Sequence, residues 1–348
     1  MKKNFGTMPD GTPLSLYSFT NKNNMTMAVT DLGATLVSVQ LPDREGVVRD
    51  VVLGYDTPEA YLKNTCYFGA VIGRSGNRID QGRFEINGTM YQMYQNDNEN
   101  NLHSGQDGFD RRKWQVSDLD ETKNKITFTI ESPDGDQGFP GNFRVSVTYT
   151  LTDENEIILA YEGMSDQDTV ANLTNHSYFN LAGHDGGSME DHKLLLLAKA
   201  YTPVRDGKAI PTGEIAPVAG TPMDFLVAKP IGRDIEADFE QLKFVGGYDH
   251  NYVLSEKNGE MKKMAEAYCD RTGIAMEAFT DCCGVQFYAG NFITDHEGKG
   301  GVIYKKRQGF CLESQYYPNS INQEGFPKPI LKAGEPYRTT TSYRFFVK

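Results

Sequence analysis

The sequence predicts an all-β, antiparallel protein, and three observations carry that expectation. Short segments that alternate apolar and polar residues recur along the chain, turn residues punctuate them, and glycine supplies 35 of the 348 residues, about a tenth against a usual ~7%. Taken in order, Phe84-Glu85-Ile86 and Thr89-Met90-Tyr91 flank Asn87-Gly88, a dipeptide that tolerates positive φ at both positions and so suits a type I′ hairpin. In Lys125 to Glu131 the residues Ile126, Phe128 and Ile130 point one way, as in a half-buried strand. Arg144 to Thr152 repeats the pattern with Val145, Val147, Tyr149 and Leu151, and Asp153 to Glu156 separates it from Ile157 to Tyr161, which reads as an antiparallel meander. Glu256 to Asp270 is rich in helix-forming Glu, Lys, Met and Ala. Its later half nevertheless alternates at Ala265, Ala267 and Cys269, and Asp270-Arg271-Thr272-Gly273 makes a turn before Ile274 to Phe279, so a hairpin is expected. No repeat, low-complexity tract or linker interrupts residues 1–348, and a single domain is expected.

Composition narrows the function classes. Hydrophobic residues at 39% and charged residues at 24% allow a large core. The longest apolar runs, such as Leu194 to Ala198, fall far short of the ~20 residues that span a bilayer, so no membrane partner is expected. With 35 basic and 47 acidic residues the net charge is -12, which repels phosphate backbones and argues against nucleic acid. Met1 to Asp10 lacks the apolar core of a signal peptide, and the five scattered cysteines (Cys66, Cys269, Cys282, Cys283 and Cys311) do not resemble a disulfide framework. A reducing compartment, the cytoplasm, is the expectation.

Phosphate-loop, His-Glu-x-x-His, Cys-x-x-Cys and Gly-x-Ser-x-Gly signatures are all absent, so neither ATP use nor a metal site is expected. Cys282 and Cys283 are neighbours that a strand would point to opposite faces, and they read as small buried residues. What remains is a set of polar residues in aromatic-rich, strand-like segments. In Thr174 to Asn180 the residues His176, Tyr178 and Asn180 share a face; in Phe310 to Tyr317 Glu313 and Gln315 do so. In Gly284 to Ala289 the residues Val285, Phe287 and Ala289 take the core side and leave Gln286 beside Tyr288, and Asp249 is a further carboxylate in Gly247 to Asn251. An acid, a base and several neutral or cationic hydrogen-bonding groups beside aromatics suit an uncharged polyhydroxylated ligand, a sugar.

These segments resemble the aldose 1-epimerase, or galactose mutarotase, family. The resemblance rests on Gly73-Arg74-Ser75-Gly76-Asn77-Arg78-Ile79, Asn101-Leu102-His103-Ser104-Gly105, Gly108-Phe109-Asp110 with Trp114, Asn175 to Gly183, Gly247 to Asn251, Gly284 to Asn291 and Leu312 to Gln315. They occur in family order over nearly the whole chain. The resemblance implies a large antiparallel β-sandwich of the galactose mutarotase type, free of cofactors, that holds its sugar on a concave sheet surface. It also implies that Glu313 is the general base, His176 the general acid, and that Asn77, Arg78, His103, Asp249 and Gln286 bind sugar hydroxyls. Ser104 stands where the family usually has a second glycine, and Ser75-Gly76 where it has a bulkier residue followed by alanine.

The implied activity is an isomerase that interconverts the α- and β-anomers of free aldohexoses such as galactose and glucose. Interconversion removes a proton from the O1 hydroxyl while the ring oxygen is protonated, which explains why one base and one acid are needed together. A glutamate of ordinary pKa ~4.3 is a weak base, so partial burial is expected to raise Glu313, and the acidic surroundings are expected to keep His176 protonated. Two other readings exist. Asp249 and Glu313 could be the paired carboxylates of a glycoside hydrolase, which leaves His176 without a role. The chain could also be a catalytically silent sugar-binding module on the same fold, against which the presence of both Glu313 and His176 argues.

Overall fold

Alternation of buried and exposed side chains organises the chain, which the computed structural model describes over residues 1–63 and 65–348. Val145, Val147, Tyr149 and Leu151 are buried along the strand Phe143–Leu151 while their neighbours face outward. The same period runs through Lys125–Ser132 and Glu156–Ser165, which pair with it antiparallel on either side. Among the described residues there are two α-helices, Pro58–Lys63 and Glu240–Val245, and no helix is long and apolar enough to cross a membrane. The protein is all-β.

The largest sheet has nine strands, in the order Gln115–Asp120, Lys125–Ser132, Phe143–Leu151, Glu156–Ser165, Pro336–Val347, Ile274–Thr280, Lys262–Tyr268, Lys193–Leu196 and Lys229–Pro230. Its central strand, Pro336–Val347, comes from the C-terminus and pairs with Glu156–Ser165 on one edge and Ile274–Thr280 on the other. A five-stranded sheet, Lys2–Thr7 to Val48–Asp50 in chain order, is formed by the N-terminal residues. A third sheet, also of five strands, orders Ala216–Pro217, Ala200–Tyr201, Asp249–Val253, Gly284–Tyr288 and Cys311–Gln315. Val285, Phe287 and Leu312 from this third sheet share one core with Tyr343 and Phe345 of the nine-stranded sheet. The Tyr343 hydroxyl donates to the carbonyl of Leu312 at 3.0 Å, which stitches the two layers together. The third sheet therefore has an apolar back, and its other face is free to carry polar groups.

The hairpin expected at Asn87-Gly88 forms between Arg83–Ile86 and Thr89–Gln92, with φ of 52° and 78° at its two turn residues. Helix-forming composition does not prevail at 256–270: Lys262–Tyr268 pairs with Ile274–Thr280 as a hairpin. Cys282 and Cys283 are buried and free. The strand expected over Thr174 to Asn180 is shorter than its pattern suggests. Only Thr174–Asn175 forms a ladder, with Val71–Ile72; beyond it Phe179 makes isolated antiparallel bridges to Val52 and Phe310, and the Asn180 N–H donates to Val51 O. Side chains take part in the departure: the Ser177 N–H donates to Asn175 Oδ1 at 3.1 Å, Asn175 donates to Gly69 O at 2.8 Å, and Asn180 to Gly187 O and Gln308 O at 2.8 and 2.7 Å. Asn180 consequently braces loop carbonyls and does not share an open face with His176 and Tyr178.

Arg74 ties the loops beside the third sheet to the body of the fold. Its side chain is almost completely buried, and its guanidinium donates to Ser132 Oγ, Ser132 O, Pro133 O, Pro140 O, Gly141 O and Thr169 Oγ1 at 2.7 to 3.2 Å. Burial pushes its pKa down only to about 10, so the cation persists at neutral pH. Arg74→Met would fill the space and leave those acceptors unpaired, for an expected loss of about 3 kcal/mol or more. A urea titration whose midpoint does not fall would contradict this account of Arg74.

Candidate active site

Register in the third sheet builds the floor of the site. Asp249 lies opposite Tyr288, and Tyr288 opposite Cys311; one step along, Asn251 lies opposite Gln286, and Gln286 opposite Glu313. Because successive side chains alternate, Cys311, Glu313 and Gln315 face one way while Leu312 enters the core and Ser314 hydrogen-bonds Thr341. Glu313 is thus held on a rigid strand with its carboxylate buried.

Two loops build the walls. Asn77, His103 and Ser104 have φ of 56°, 52° and 71°, left-handed conformations that cost a histidine or serine more than an asparagine. Reciprocal bonds hold them there. The Asn77 N–H donates to Nδ1 of His103 at 3.2 Å and the His103 N–H to Asn77 O at 3.0 Å. Ser75 N–H donates to Ser104 Oγ at 2.7 Å, and the Ser104 hydroxyl donates to Ser75 O at 3.0 Å. The two serines that depart from the family pattern therefore bond to each other and close the gap between the loops.

Floor and walls enclose a cavity of about 190 Å³ lined by Asn77, Arg78, His103, His176, Asp249 and Glu313, together with Cys66, Tyr67, Tyr178, Tyr288 and Phe292. Six of the seven sequence-predicted site residues meet there. The seventh, Gln286, does not line the cavity; its Nε2 donates to Asp249 Oδ1 at 2.7 Å and orients that carboxylate from behind. Nε2 of His176 stands 3.6 Å from Oε2 of Glu313. The His176 ring is stacked with both Tyr67 and Tyr178, at centroid distances of 5.7 and 5.1 Å and interplanar angles of 27° and 20°. Arg78 is held by Asp97, whose Oδ2 accepts from Nε at 2.7 Å.

Burial dominates the electrostatics. It raises Glu313 well above the usual carboxylate range, with Asp249 nearby pushing the same way and Arg78 opposing. It also raises Asp249, and it lowers His103 well below the usual imidazole range. His176 falls to about 4 for the same reason. This corrects the expectation that acidic surroundings keep His176 protonated: loss of water outweighs the one opposing contribution, a hydrogen bond to its own backbone, and the proton is favoured on Glu313. Among the described residues, Oε2 of Glu313 has no hydrogen-bond partner. A hydroxyl donated to that oxygen would stabilise the carboxylate and reverse the bias.

The ligating atoms of His103, His176 and Glu313 lie within 4.8 Å of one another, a cluster that sequence spacing did not reveal. The bond from Asn77 makes Nδ1 of His103 an acceptor, so the ring carries its proton on Nε2 and offers a donor there. That suits a hydroxyl oxygen better than a cation.

An all-β sandwich with a buried carboxyl-imidazole pair, ringed by neutral and cationic hydrogen-bonding groups and aromatic walls, defines a carbohydrate-active enzyme of the acid-base type. The sequence profile of the aldose 1-epimerase family matches residues 15–344. Galactose mutarotase of Homo sapiens is 40% identical over 344 residues, covering 99% of this chain and 97% of the relative. Aldose 1-epimerase of Escherichia coli (strain K12) is 38% identical over 342 residues, covering 98% and 97%. The crystal structure of galactose 1-epimerase from Lactobacillus acidophilus NCFM superposes with a TM-score of 0.86 at 28% identity, covering 100% of this chain and 99% of that one. The chain belongs to the aldose 1-epimerase family. Its activity is mutarotation, an isomerase reaction on the anomeric carbon of an aldose.

Sequence reasoning did not single out Tyr67 or Asp97. Tyr67 comes from a loop with no strand pattern, and Asp97 is one carboxylate in an Asn-rich turn whose pairing with Arg78 is set by tertiary structure. Asp249→Asn provides a test of the electrostatics. With the like charge gone, the carboxyl of Glu313 gives up the pair's one proton more readily, so the alkaline limb of the kcat/KM profile, where that proton is lost, shifts to lower pH. Loss of a charged hydrogen-bond acceptor should raise KM roughly tenfold or more. A limb that stays in place or moves upward would contradict the like-charge coupling.

Proposed function

We propose that Glu313 is the general base and His176 the general acid of mutarotation on free aldohexoses such as galactose and glucose. The observation that carries this reading is the 3.6 Å separation of His176 Nε2 and Glu313 Oε2 inside a buried, sugar-sized polar cavity. When a sugar hydroxyl donates to the unpartnered Oε2, the carboxylate form gains stability and the pair's proton moves to His176. Glu313 then accepts the O1 proton while Nε2 of His176 donates to the ring oxygen. The C1-to-ring-oxygen bond breaks and O1 becomes the carbonyl oxygen of the open-chain aldehyde. Rotation about C1-C2 presents the other carbonyl face; re-closure returns the proton to His176 from the attacking hydroxyl and the proton on Glu313 to O1. No stereocentre other than C1 changes, and the pair ends with the proton count it began with.

Asn77, Arg78, His103 and Asp249 bind the sugar hydroxyls in this reading, and Gln286 acts through Asp249. A planar guanidinium anchored at Nε by Asp97 leaves its terminal nitrogens for hydroxyl oxygens. A hydrolytic role for Asp249 and Glu313 would leave His176 without a part. Four free, buried cysteines (Cys269, Cys282, Cys283 and Cys311) and a net charge of -12 support work in a reducing cytoplasm on an uncharged substrate, with neither membrane nor nucleic acid as partner.

Glu313→Gln keeps size and hydrogen bonding but cannot take the proton. Polarimetry with freshly dissolved α-D-galactose and α-D-glucose, corrected for the spontaneous rate, should show kcat lower by ~10²- to 10⁴-fold while calorimetry shows that sugar still binds. His176→Asn should behave likewise, and the double variant should be little worse than either single. A Glu313→Gln rate within tenfold of the parent would exclude Glu313 as the base. Losses that add in the double variant would remove the concerted step.

A further inference from the structure

We infer that Cys311 is a positioning residue for His176, its thiol holding the Nδ1 edge of the imidazole so that Nε2 is aimed at Glu313 and the sugar ring oxygen. The inference rests on the acid-base reading above and assigns a role to a residue that does not itself line the cavity. Three observations carry it. Sγ of Cys311 stands 3.5 Å from Nδ1 of His176, within sulfur hydrogen-bond distance, on the side of the ring opposite the Nε2–Glu313 contact. Cys311 and Glu313 are two apart on the strand Cys311–Gln315, so alternation puts both on one face, and a single strand addresses both nitrogens of one imidazole. Tyr67 and Tyr178 both stack on the ring, which fixes its plane but leaves a turn within that plane to be resisted by bonds at its edges.

The proton economy of the reaction shows why such a partner is useful. Nε2 gives up and regains a proton in each cycle, whereas Nδ1 must keep one neighbour throughout. When Nε2 gives up its proton the ring keeps Nδ1–H, so the thiol sulfur accepts from Nδ1–H in the imidazolium and in the neutral tautomer that regains a proton at Nε2. It is also a weak partner. A carboxylate in its place would favour the imidazolium and make it a poorer acid, while an apolar residue would leave the ring edge only the hydrogen bond to its own backbone. Burial, with Glu313 and Asp249 nearby, holds the Cys311 thiol well above its usual pKa, so the S–H is retained. The groups that face His176 from neighbouring elements are His103, Glu313 and the hydroxyl-bearing rings of Tyr67, Tyr178 and Tyr288.

The test compares Cys311→Ser, which keeps a donor and acceptor in a smaller side chain, with Cys311→Val, which keeps bulk and removes both, and Cys311→Ala, which removes bulk and bond together. If the thiol positions His176, Cys311→Val and Cys311→Ala should lose roughly 3- to 10-fold in kcat with KM within about twofold, the worth of one hydrogen bond, and Cys311→Ser should recover most of the loss. Nitrogen NMR of histidine-labelled protein gives a readout that packing alone would not move: in the parent, His176 should show one defined tautomer, and in Cys311→Val its two nitrogens should move toward averaged shifts. Cys311→Val at the parent kcat, Cys311→Ser as slow as Cys311→Ala, or an unchanged tautomer in Cys311→Val would each overturn the proposal. So would averaged His176 nitrogens in the parent enzyme, a result that needs no variant to fold. The spectrum requires no turnover, so it stands apart from the acid-base assignment, which fails through His176→Asn.

Discussion

Taking a carboxyl group and an imidazole out of water side by side moves them in opposite directions, Glu313 upward and His176 downward to about 4. Bulk water would hold both near their ordinary values, and the tyrosine rings on the walls and the sheet beneath leave the two side chains almost wholly buried. Outside the sugar complex the uncharged pair is favoured, because separated charges in a buried site cost several kcal/mol each unless hydrogen bonds compensate. A polyhydroxylated ligand supplies those bonds, so the reactive ion pair is coupled to the arrival of the molecule it acts on.

That coupling needs a scaffold that does not relax, since a floor that gave way would let water in. Glu313 and Asp249 sit on strands whose opposite face is committed to the core through Leu312 and Tyr252, with Val285 and Phe287 on the strand between, so neither carboxylate can withdraw without unpacking two sheets. The loops opposite have no such backing and are tied instead by polar bonds. Arg74 anchors them to the turn around Ser132 to Gly141, Ser75 and Ser104 bond to each other, and Asp97 steadies Arg78. Left-handed backbone at Asn77, His103 and Ser104 is tolerated because those bonds determine the loop conformation more strongly than local preference does.

Much of this was legible in the sequence because period-two alternation is a local property. The meander around Val145 and Leu151, the hairpin at Asn87-Gly88, and the parity that puts Glu313 on the polar side and Phe287 on the apolar side follow from residue order alone. Where the pattern misled, at Thr174 to Asn180, the ladder gives way to isolated bridges and the Asn175 side chain accepts from the Ser177 N–H, and no alternation rule registers that exchange. The resemblance to the family named the site residues but not their charge states. Desolvation is set by residues far apart in the chain, so the expectation of a protonated His176 failed for a tertiary reason. Cys311 is an intermediate case: its place on the face of Glu313 could be counted, but its contact with His176 could not.

The account turns on burial having moved Glu313 and His176 past one another, and that is open to direct observation. Infrared and nitrogen NMR titration of the sugar-free enzyme, with isotope-labelled glutamate and histidine assigned through Glu313→Gln and His176→Asn, follows both groups in one sample. The account predicts a Glu313 carboxyl that remains protonated well above the usual carboxylate range and a His176 ring that remains neutral well below the usual imidazole range. A Glu313 that ionises at its ordinary value beside a His176 that is cationic at neutral pH would contradict it.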